Sequence, residues 1–220
     1  MFSKWQSFCR GELTMVRQTK PMKNILNVLD RATEENRNEG LEWYINANKI
    51  ARAVGTIVSS SSAIRIQTII GAGILSALSP QTNWDLNIAK AFSFAEAYQR
   101  PTFTTTSNYQ KALNVVTMLD SAIQSGDPLL YVENLMGKVA PKQKAFYRNI
   151  VDPAGDYIPT IDRHAIGIYL DRKPSKEDIR RYGTGNALQD VINTYVTASK
   201  LADLHYNELQ AITWLQWRSE

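Results

Sequence analysis

Apolar residues recur at helical spacing through most of this chain of 220 residues. A first stripe covers residues 25–29 and a second covers 43–54, so the pattern predicts two helices separated by the polar stretch 34–40. Residues 63–78 are apolar on nearly every side, which is typical of a buried helix. Pro80 then ends that helix, because proline has no amide hydrogen and clashes with the preceding turn.

Further stripes of the same period follow. They predict helices over residues 84–95, 109–124, 129–135, 142–150, 164–170, 186–206 and 208–217. Asp162 stands where the N-cap of one of these helices belongs, and Ser175 with Asp178 three residues later has the pattern of a capping box. No segment alternates apolar and polar residues over a useful length, and the chain has no internal repeat. The sequence therefore predicts an all-α fold.

The net charge of +4 and the isoelectric point near 9.1 raise the question of a nucleic-acid partner. Residues 1–23 hold five basic side chains and one acidic side chain, which accounts for the whole excess, and we expect them to form a flexible basic tail. The rest of the chain is neutral overall but unevenly charged, since residues 137–181 hold ten basic and six acidic side chains. The argument for nucleic-acid binding therefore rests on this positive segment.

The composition excludes several classes of site. One cysteine, Cys9, leaves no internal disulfide, multi-cysteine zinc site or iron–sulfur cluster, and two histidines offer little to other metals. We therefore expect neither a metal nor a cofactor. The chain has no apolar run of about eighteen residues and no signal-peptide pattern, so we expect a cytoplasmic protein without a membrane partner. It also has no phosphate-binding glycine loop and no nucleophile elbow.

Candidate chemistry is concentrated in one stretch of the chain. The sequence LMGKVAPKQKAFYRNI predicts a helix, a turn with one glycine and a second helix, and PTIDRHAIGIYL follows with an aspartate at a helix N-terminus. The turn amides, with Lys138, Lys142, Lys144 and Arg148, suit a phosphate backbone. A nearby carboxylate, that of Asp162, can stabilise positive charge on a sugar or orient water toward its anomeric carbon. This combination favours N-glycosidic chemistry.

These residues resemble the helix-hairpin-helix DNA glycosylase superfamily, of which endonuclease III is the type member. Leu135-Met136-Gly137 is similar to the start of the family hairpin, Leu-Pro-Gly-Val-Gly, and Ile161-Asp162-Arg163-His164 is similar to the Val-Asp-Thr-His that carries its catalytic carboxylate. The resemblance implies that Asp162 is catalytic. In the bifunctional branch a lysine 18 residues before the aspartate forms a Schiff base, and that spacing leads to Lys144.

The similarity extends upstream, over about residues 63–170. Leu78-Ser79-Pro80-Gln81 resembles the family's Leu-Ser-x-Gln, whose glutamine enters the DNA stack, and the segment from Tyr109 is similar to its Tyr-x-x-Lys-Ala helix. Val139-Ala140-Pro141 replaces the second hairpin glycine, Arg163 replaces the usual threonine, and the cysteines of the family's iron–sulfur loop are absent. These departures indicate a diverged member. Similarity to small phage proteins indicates a phage-encoded one, which would act in the host cytoplasm.

The family's anatomy implies two helical lobes within a single glycosylase-like unit of residues 24–220. One lobe would contain about residues 63–157, the other would combine 24–62 with 158–220, and Asp162 would lie in the cleft between them. The expected partner is double-stranded DNA, bound by a monomer. The expected DNA contacts are Gln81, Gly137, Lys138, Lys142, Arg148 and Arg163, and the expected base pocket consists of Trp43, Tyr44, Trp84 and His164.

Three functions are compatible with these observations. The first is a DNA glycosylase-type enzyme, in which Asp162 stabilises the sugar cation while water or Lys144 attacks the anomeric carbon. The second is a phage base-hypermodification enzyme on the same fold, which acts on hydroxymethyl-pyrimidine derivatives in DNA. The third is a non-catalytic DNA-binding module, in which Asp162 is only an N-cap. A side chain of Asp162 that faces an open pocket would favour the first two.

Overall fold

The computed structural model describes residues 18–99, 106–137 and 140–220, and this part of the chain contains helices and loops but no strand. The helices are α1 (Lys20–Arg31), α2 (Glu34–Val58), α3 (Ile64–Leu78), α4 (Trp84–Ala97), α5 (Ser107–Thr117), α6 (Leu119–Gln124), α7 (Pro128–Leu135), α8 (Pro141–Val151), α9 (Arg163–Leu170), α10 (Lys176–Tyr182), α11 (Gly185–Leu201) and α12 (Tyr206–Ser219). The predicted all-α class is confirmed. No helix in these ranges is long and apolar enough to cross a membrane.

Helix boundaries follow local capping signals. Asp162 caps α9, and Ser175 and Asp178 form the predicted capping box at the start of α10. The polar stretch 34–40 was expected to separate two helices. It forms the first turns of α2 instead, because the Thr33 side chain caps that helix. It is the polar beginning of a helix of 25 residues rather than a linker.

Two further boundaries differ from those predicted. The stripe over residues 109–124 forms two helices, α5 and α6, because the backbone at Met118 departs from helical geometry, with φ −96° and ψ 12°. Residues 20–23 of the expected tail are helical instead, because α1 begins at Lys20, and Met22 is buried. Residues 1–17 lie outside the described part of the chain.

Two clusters of buried apolar side chains hold the helices together. The first joins α2 through α8, and the second joins α1, α9, α11 and α12. We expected residues 24–62 to belong to the second lobe, but α2 packs in the first cluster. The reason is a backbone contact with α3: a Cβ on Gly71 would lie 1.7 Å from the Ala51 carbonyl oxygen, and one on Gly55 would lie 1.8 Å from that of Gln67. Only glycine allows so close an approach.

The two clusters meet where α2 crosses α12. A Cβ on Gly40 of α2 would lie 2.4 Å from a side-chain carbon of Ile212, so these helices are also in close contact. One turn further along α2, the Tyr44 hydroxyl lies 2.9 Å from Thr160 Oγ1 and 3.0 Å from Gln210 Oε1. These contacts hold the loop before α9 at the junction, and that loop carries Asp162.

Candidate functional site

A cavity of about 570 Å³, including the solvent at its mouth, lies at this junction. Five of the side chains that line it are aromatic: Trp43, Tyr44, Trp84, Phe146 and Trp214. The Trp43 ring centroid is 4.8 Å from that of Tyr44, 4.9 Å from that of Trp84 and 6.0 Å from that of Trp214. The structure thus brings three of the expected base-pocket residues together and adds two more. A mostly apolar, aromatic lining with a few polar side chains is typical of small-ligand sites.

A chain of buried hydrogen bonds forms one polar side of the cavity. The Asn149 side-chain amide donates to Thr160 Oγ1 over 3.1 Å. Tyr44 has a single hydroxyl hydrogen, and Gln210 Oε1 can only accept, so Tyr44 donates to Gln210 and accepts from Thr160. Burial raises the pKa of Tyr44, which keeps this phenol protonated. In this hydrogen-bond network the Gln210 amide oxygen faces Tyr44.

Asn87 lines the same cavity and is almost completely buried, with 2% of its surface exposed. Its Nδ2 donates to the Leu75 carbonyl oxygen over 3.2 Å, which sets the orientation of the amide. The Oδ1 atom is buried and has no hydrogen-bond partner among the described residues. Buried acceptors are nearly always paired in folded proteins, so this atom requires an explanation.

Asp162 borders the cavity from the N-terminus of α9. Its Oδ1 accepts hydrogen bonds from the backbone amides of His164 and Ala165, at 2.8 and 2.9 Å. No described residue donates to Oδ2, and the side chain is only half-buried. One oxygen therefore fixes the orientation of the carboxylate, and the other is available to a ligand.

A wider groove of about 2010 Å³, solvent included, opens beside the cavity and shares Asp162 with it. Its cationic side chains are Lys142, Arg163 and Arg218. The Arg218 guanidinium carbon lies 4.4 Å from the centre of a Trp214 ring, which holds this charge at the cavity mouth. Asp162 is the one acidic side chain among the described residues that line the groove and the cavity. The groove is therefore suited to an anionic ligand.

His164 lies in the groove rather than in the cavity where it was expected, with its ring 6.4 Å from that of Trp214. Burial lowers the pKa of His164. The Asp162 carboxylate opposes this shift, and the charges of Arg163 and Arg218 add to it. A neutral imidazole is therefore favoured at neutral pH, and it adds no positive charge to the groove.

Gln81 and Gly137 both have left-handed backbone conformations, with φ of +61° and +102°. Gln81 is exposed and lines the groove. Gly137 lines neither the groove nor the cavity, and its amide donates to the Asn134 carbonyl oxygen over 3.1 Å. The expected phosphate contact of Gly137 is therefore wrong for its amide, because that hydrogen closes the end of α7.

Two of the basic residues of the hairpin, Lys144 and Arg148, lie away from the site, and a third, Lys142, lies in it. Lys142, in the first turn of α8, lines both the cavity and the groove, whereas Lys144 lines neither, because two residues along a helix point to different sides. Arg148 is also outside both, and its Nε donates to Glu133 Oε2 of α7 over 2.9 Å. Arg148 thus forms an ion pair between α7 and α8. Lys138 lies outside the described residues.

Several side chains at the site were not among the predicted residues. Gln210, Trp214 and Arg218 follow one another at intervals of four along α12, so they form a single stripe that faces the site. Asn87 lies three residues after Trp84 in α4, on the same side of that helix. The spacing of four on α12 was the available signal, but it also fits a helix that packs against the core.

No group of three or more His, Cys, Asp or Glu side chains among the described residues is arranged to hold a metal ion.

Comparison with known proteins shows which family the chain belongs to. None of the curated proteins and none of the solved structures compared with the chain matches it. A family model matches residues 11–220. The chain belongs to that family, described as a family of unknown function (DUF7178).

Proposed function

We propose that the protein is a DNA glycosylase-type enzyme that takes a base, flipped out of duplex DNA, into the aromatic cavity. The observation that carries this proposal is the position of Asp162, the one acidic side chain among the described residues that line the cavity and the groove. An aromatic slot, an available carboxylate oxygen and a cationic groove meet at this residue. Cleavage of a base from its sugar needs a group for each of three tasks: holding the base, stabilising the sugar cation and binding phosphates.

The cavity walls suit a planar ring. Flipping a base costs a few kcal/mol of lost stacking and pairing, and a stacking contact with an aromatic side chain returns about 1–3 kcal/mol per base. Trp43, Trp84 and Trp214 offer such contacts within one enclosure. The aromatic enclosure thus supports a binding site for an extrahelical base.

The groove supplies the phosphate contacts. Lys142 and neighbouring N-terminal residues of α8 line the groove. Arg163 of α9 and Arg218 of α12 line it as well. Cations and helix N-termini are the usual partners of DNA phosphates. A strand bound along these groups would pass the cavity mouth, where its flipped nucleotide can enter.

The chemistry follows from the two oxygens of Asp162. As the bond between base and sugar breaks, its electron pair leaves with the base and positive charge develops on the anomeric carbon and the ring oxygen. The carboxylate stabilises that charge. Water then bonds to the anomeric carbon and passes a proton to Oδ2, the departing base takes up a proton from solvent, and Asp162 returns its proton to solvent. Oδ1 takes no part, because the amides of α9 hold it.

An amine can replace water in this scheme, and the lysine that borders the cavity is Lys142 rather than Lys144. Its Nζ would bond to the anomeric carbon, lose a proton and, after ring opening, form a Schiff base with the sugar. Borohydride reduction would then trap a covalent protein–DNA complex. We expect Lys142→Gln to abolish the trapped complex and Lys144→Gln to retain it.

The test is incubation with duplexes that carry uracil, hydroxymethylated pyrimidines or other modified bases, followed by alkali treatment and nucleoside mass spectrometry. Free base together with an alkali-labile site is the expected result, and Asp162→Asn should not produce it. A heavier nucleoside without base loss would replace the proposal with base hypermodification on the same site. DNA binding with unchanged nucleosides across the panel would contradict an enzyme and leave a binding module.

A further inference from the structure

The cavity contains a buried hydrogen-bond acceptor that the protein itself does not use. Asn87 is 2% exposed, its Nδ2 is bound to the Leu75 carbonyl oxygen, and its Oδ1 has no partner among the described residues. Leaving such an acceptor unpaired is unfavourable, because it has lost its hydrogen bonds to water and gained none in the protein. Because the Leu75 contact sets the amide orientation, Oδ1 cannot exchange places with Nδ2 without losing that bond. Asn87 lines the cavity, so a donor bound there is the candidate partner for Oδ1.

A complementary donor lies in the same enclosure. Gln210 is 6% exposed and lines the cavity, and its Oε1 accepts from Tyr44 over 3.0 Å. No described residue accepts a hydrogen bond from its Nε2. Since the bond from Tyr44 determines which way the amide points, the free group is the donor. The cavity therefore has one fixed acceptor and one fixed donor between aromatic walls.

We infer that Asn87 and Gln210 determine specificity by binding the edge of a neutral planar heterocycle, one that has an N–H donor next to a carbonyl or ring-nitrogen acceptor. This inference rests on the proposed function for its setting, since the heterocycle would be the flipped base. Asn87 Oδ1 accepts from the ligand N–H, and Gln210 Nε2 donates to the ligand acceptor. A ring without the N–H leaves Asn87 unpaired. A site built to hydrogen-bond an N–H group binds analogues that lack this group much more weakly.

The test measures binding of isolated rings, without DNA and without turnover. The probes are 1-methyluracil and 1-methylcytosine, whose methyl group replaces the sugar, and 1,3-dimethyluracil, which lacks every N–H. Binding is followed by tryptophan fluorescence, because Trp43, Trp84 and Trp214 line the cavity. We expect at least one of the first two probes to bind at least about tenfold more tightly than 1,3-dimethyluracil. Equal affinities, or no binding by either N–H probe, would overturn the inference.

The additional methyl group of 1,3-dimethyluracil adds volume as well as removing the N–H group, and either change can weaken binding. Asn87→Leu separates these two effects. Leucine is similar in size to asparagine but has no acceptor, so the preference between probes should fall to about onefold if the acceptor causes it. A preference that persists in this variant would show a steric effect and refute the role of Asn87.

Gln210→Glu tests the donor. Glutamate retains an oxygen for the Tyr44 hydroxyl and replaces the free donor by an acceptor, so we expect affinity for the bound probe to fall at least about tenfold. Gln189→Glu makes the same chemical change on an exposed position of α11 and should bind as the unchanged protein does. Unchanged affinity in Gln210→Glu would refute the donor role.

The two proposals can fail separately. Probe discrimination that depends on Asn87, in a protein that releases no base from DNA, would retain this inference and remove the glycosylase. Base release from DNA without any probe discrimination would retain the glycosylase proposal and remove this inference.

Discussion

Replacing Asp162 by asparagine and by alanine separates its capping role from its chemical role. Its Oδ1 accepts from two amides of α9, at 2.8 and 2.9 Å, so alanine removes both bonds. Loss of an N-cap costs about 1–2 kcal/mol, whereas asparagine caps about as well as aspartate and should cost only a few tenths of a kcal/mol. Alanine should therefore lower the melting temperature by about 2–8 °C and asparagine by much less. Both variants should lose base release, because neither has the carboxylate.

Calorimetry and single-turnover base release measure the two roles independently. Asp127→Ala is the matched control, since Asp127 caps α7 through one bond to the Leu130 amide, at 3.0 Å, and lines neither the cavity nor the groove. We expect this control to lose about 1 kcal/mol of stability and to retain base release. Stable Asp162→Asn protein with full base release would refute the chemical role. An asparagine variant as unstable as the alanine variant would refute the separation of roles.

Three further predictions concern the groove and its supports. Lys142→Gln should weaken DNA binding and reduce the slope of log affinity against log salt by about one, whereas Lys144→Gln should change neither. Arg148→Ala should lower the free energy of urea unfolding by about 1–3 kcal/mol, because Glu133 loses its partner, and should leave DNA affinity unchanged. Burial lowers the pKa of His164, so as the pH falls below about 6.5 the unfolded chain takes up a proton before the folded chain does. Stability should therefore decrease below that pH, and pH-dependent unfolding of His164→Gln should show a smaller decrease.

Local signals in the sequence predicted the helix framework because the interactions behind them are local. The N-cap at Asp162 and the capping box at Ser175 involve residues within one turn of each other, so they do not depend on the rest of the fold. The position of α2 could not be predicted in this way. It depends on Gly55 and Gly71, which bring two backbones together, and each glycine alone is compatible with many packings.

The sequence could indicate residues of the candidate site whose position depends on the start of a single helix. It could not indicate those that come together only where several helices meet. Asp162 is at the site because α9 begins there, but the choice between Lys142 and Lys144 depends on where α8 begins relative to the turn. A spacing of 18 residues, taken from the family resemblance, led to Lys144, whereas α8 begins at Pro141 and Lys142 is the lysine that lines the cavity. Asn87 and Gln210 meet only through tertiary packing, and no sequence pattern connects α4 with α12.

The most direct test of the account is a crystal structure of the Asp162→Asn variant bound to a duplex that contains the base the unchanged protein releases. The account predicts that this base lies outside the duplex, between Trp43 and the other aromatic rings of the cavity, and that the anomeric carbon of its sugar faces residue 162. The flanking phosphates should contact Lys142 and Arg163. A base that remains stacked in the duplex, or a duplex bound on another face of the protein, would contradict the account.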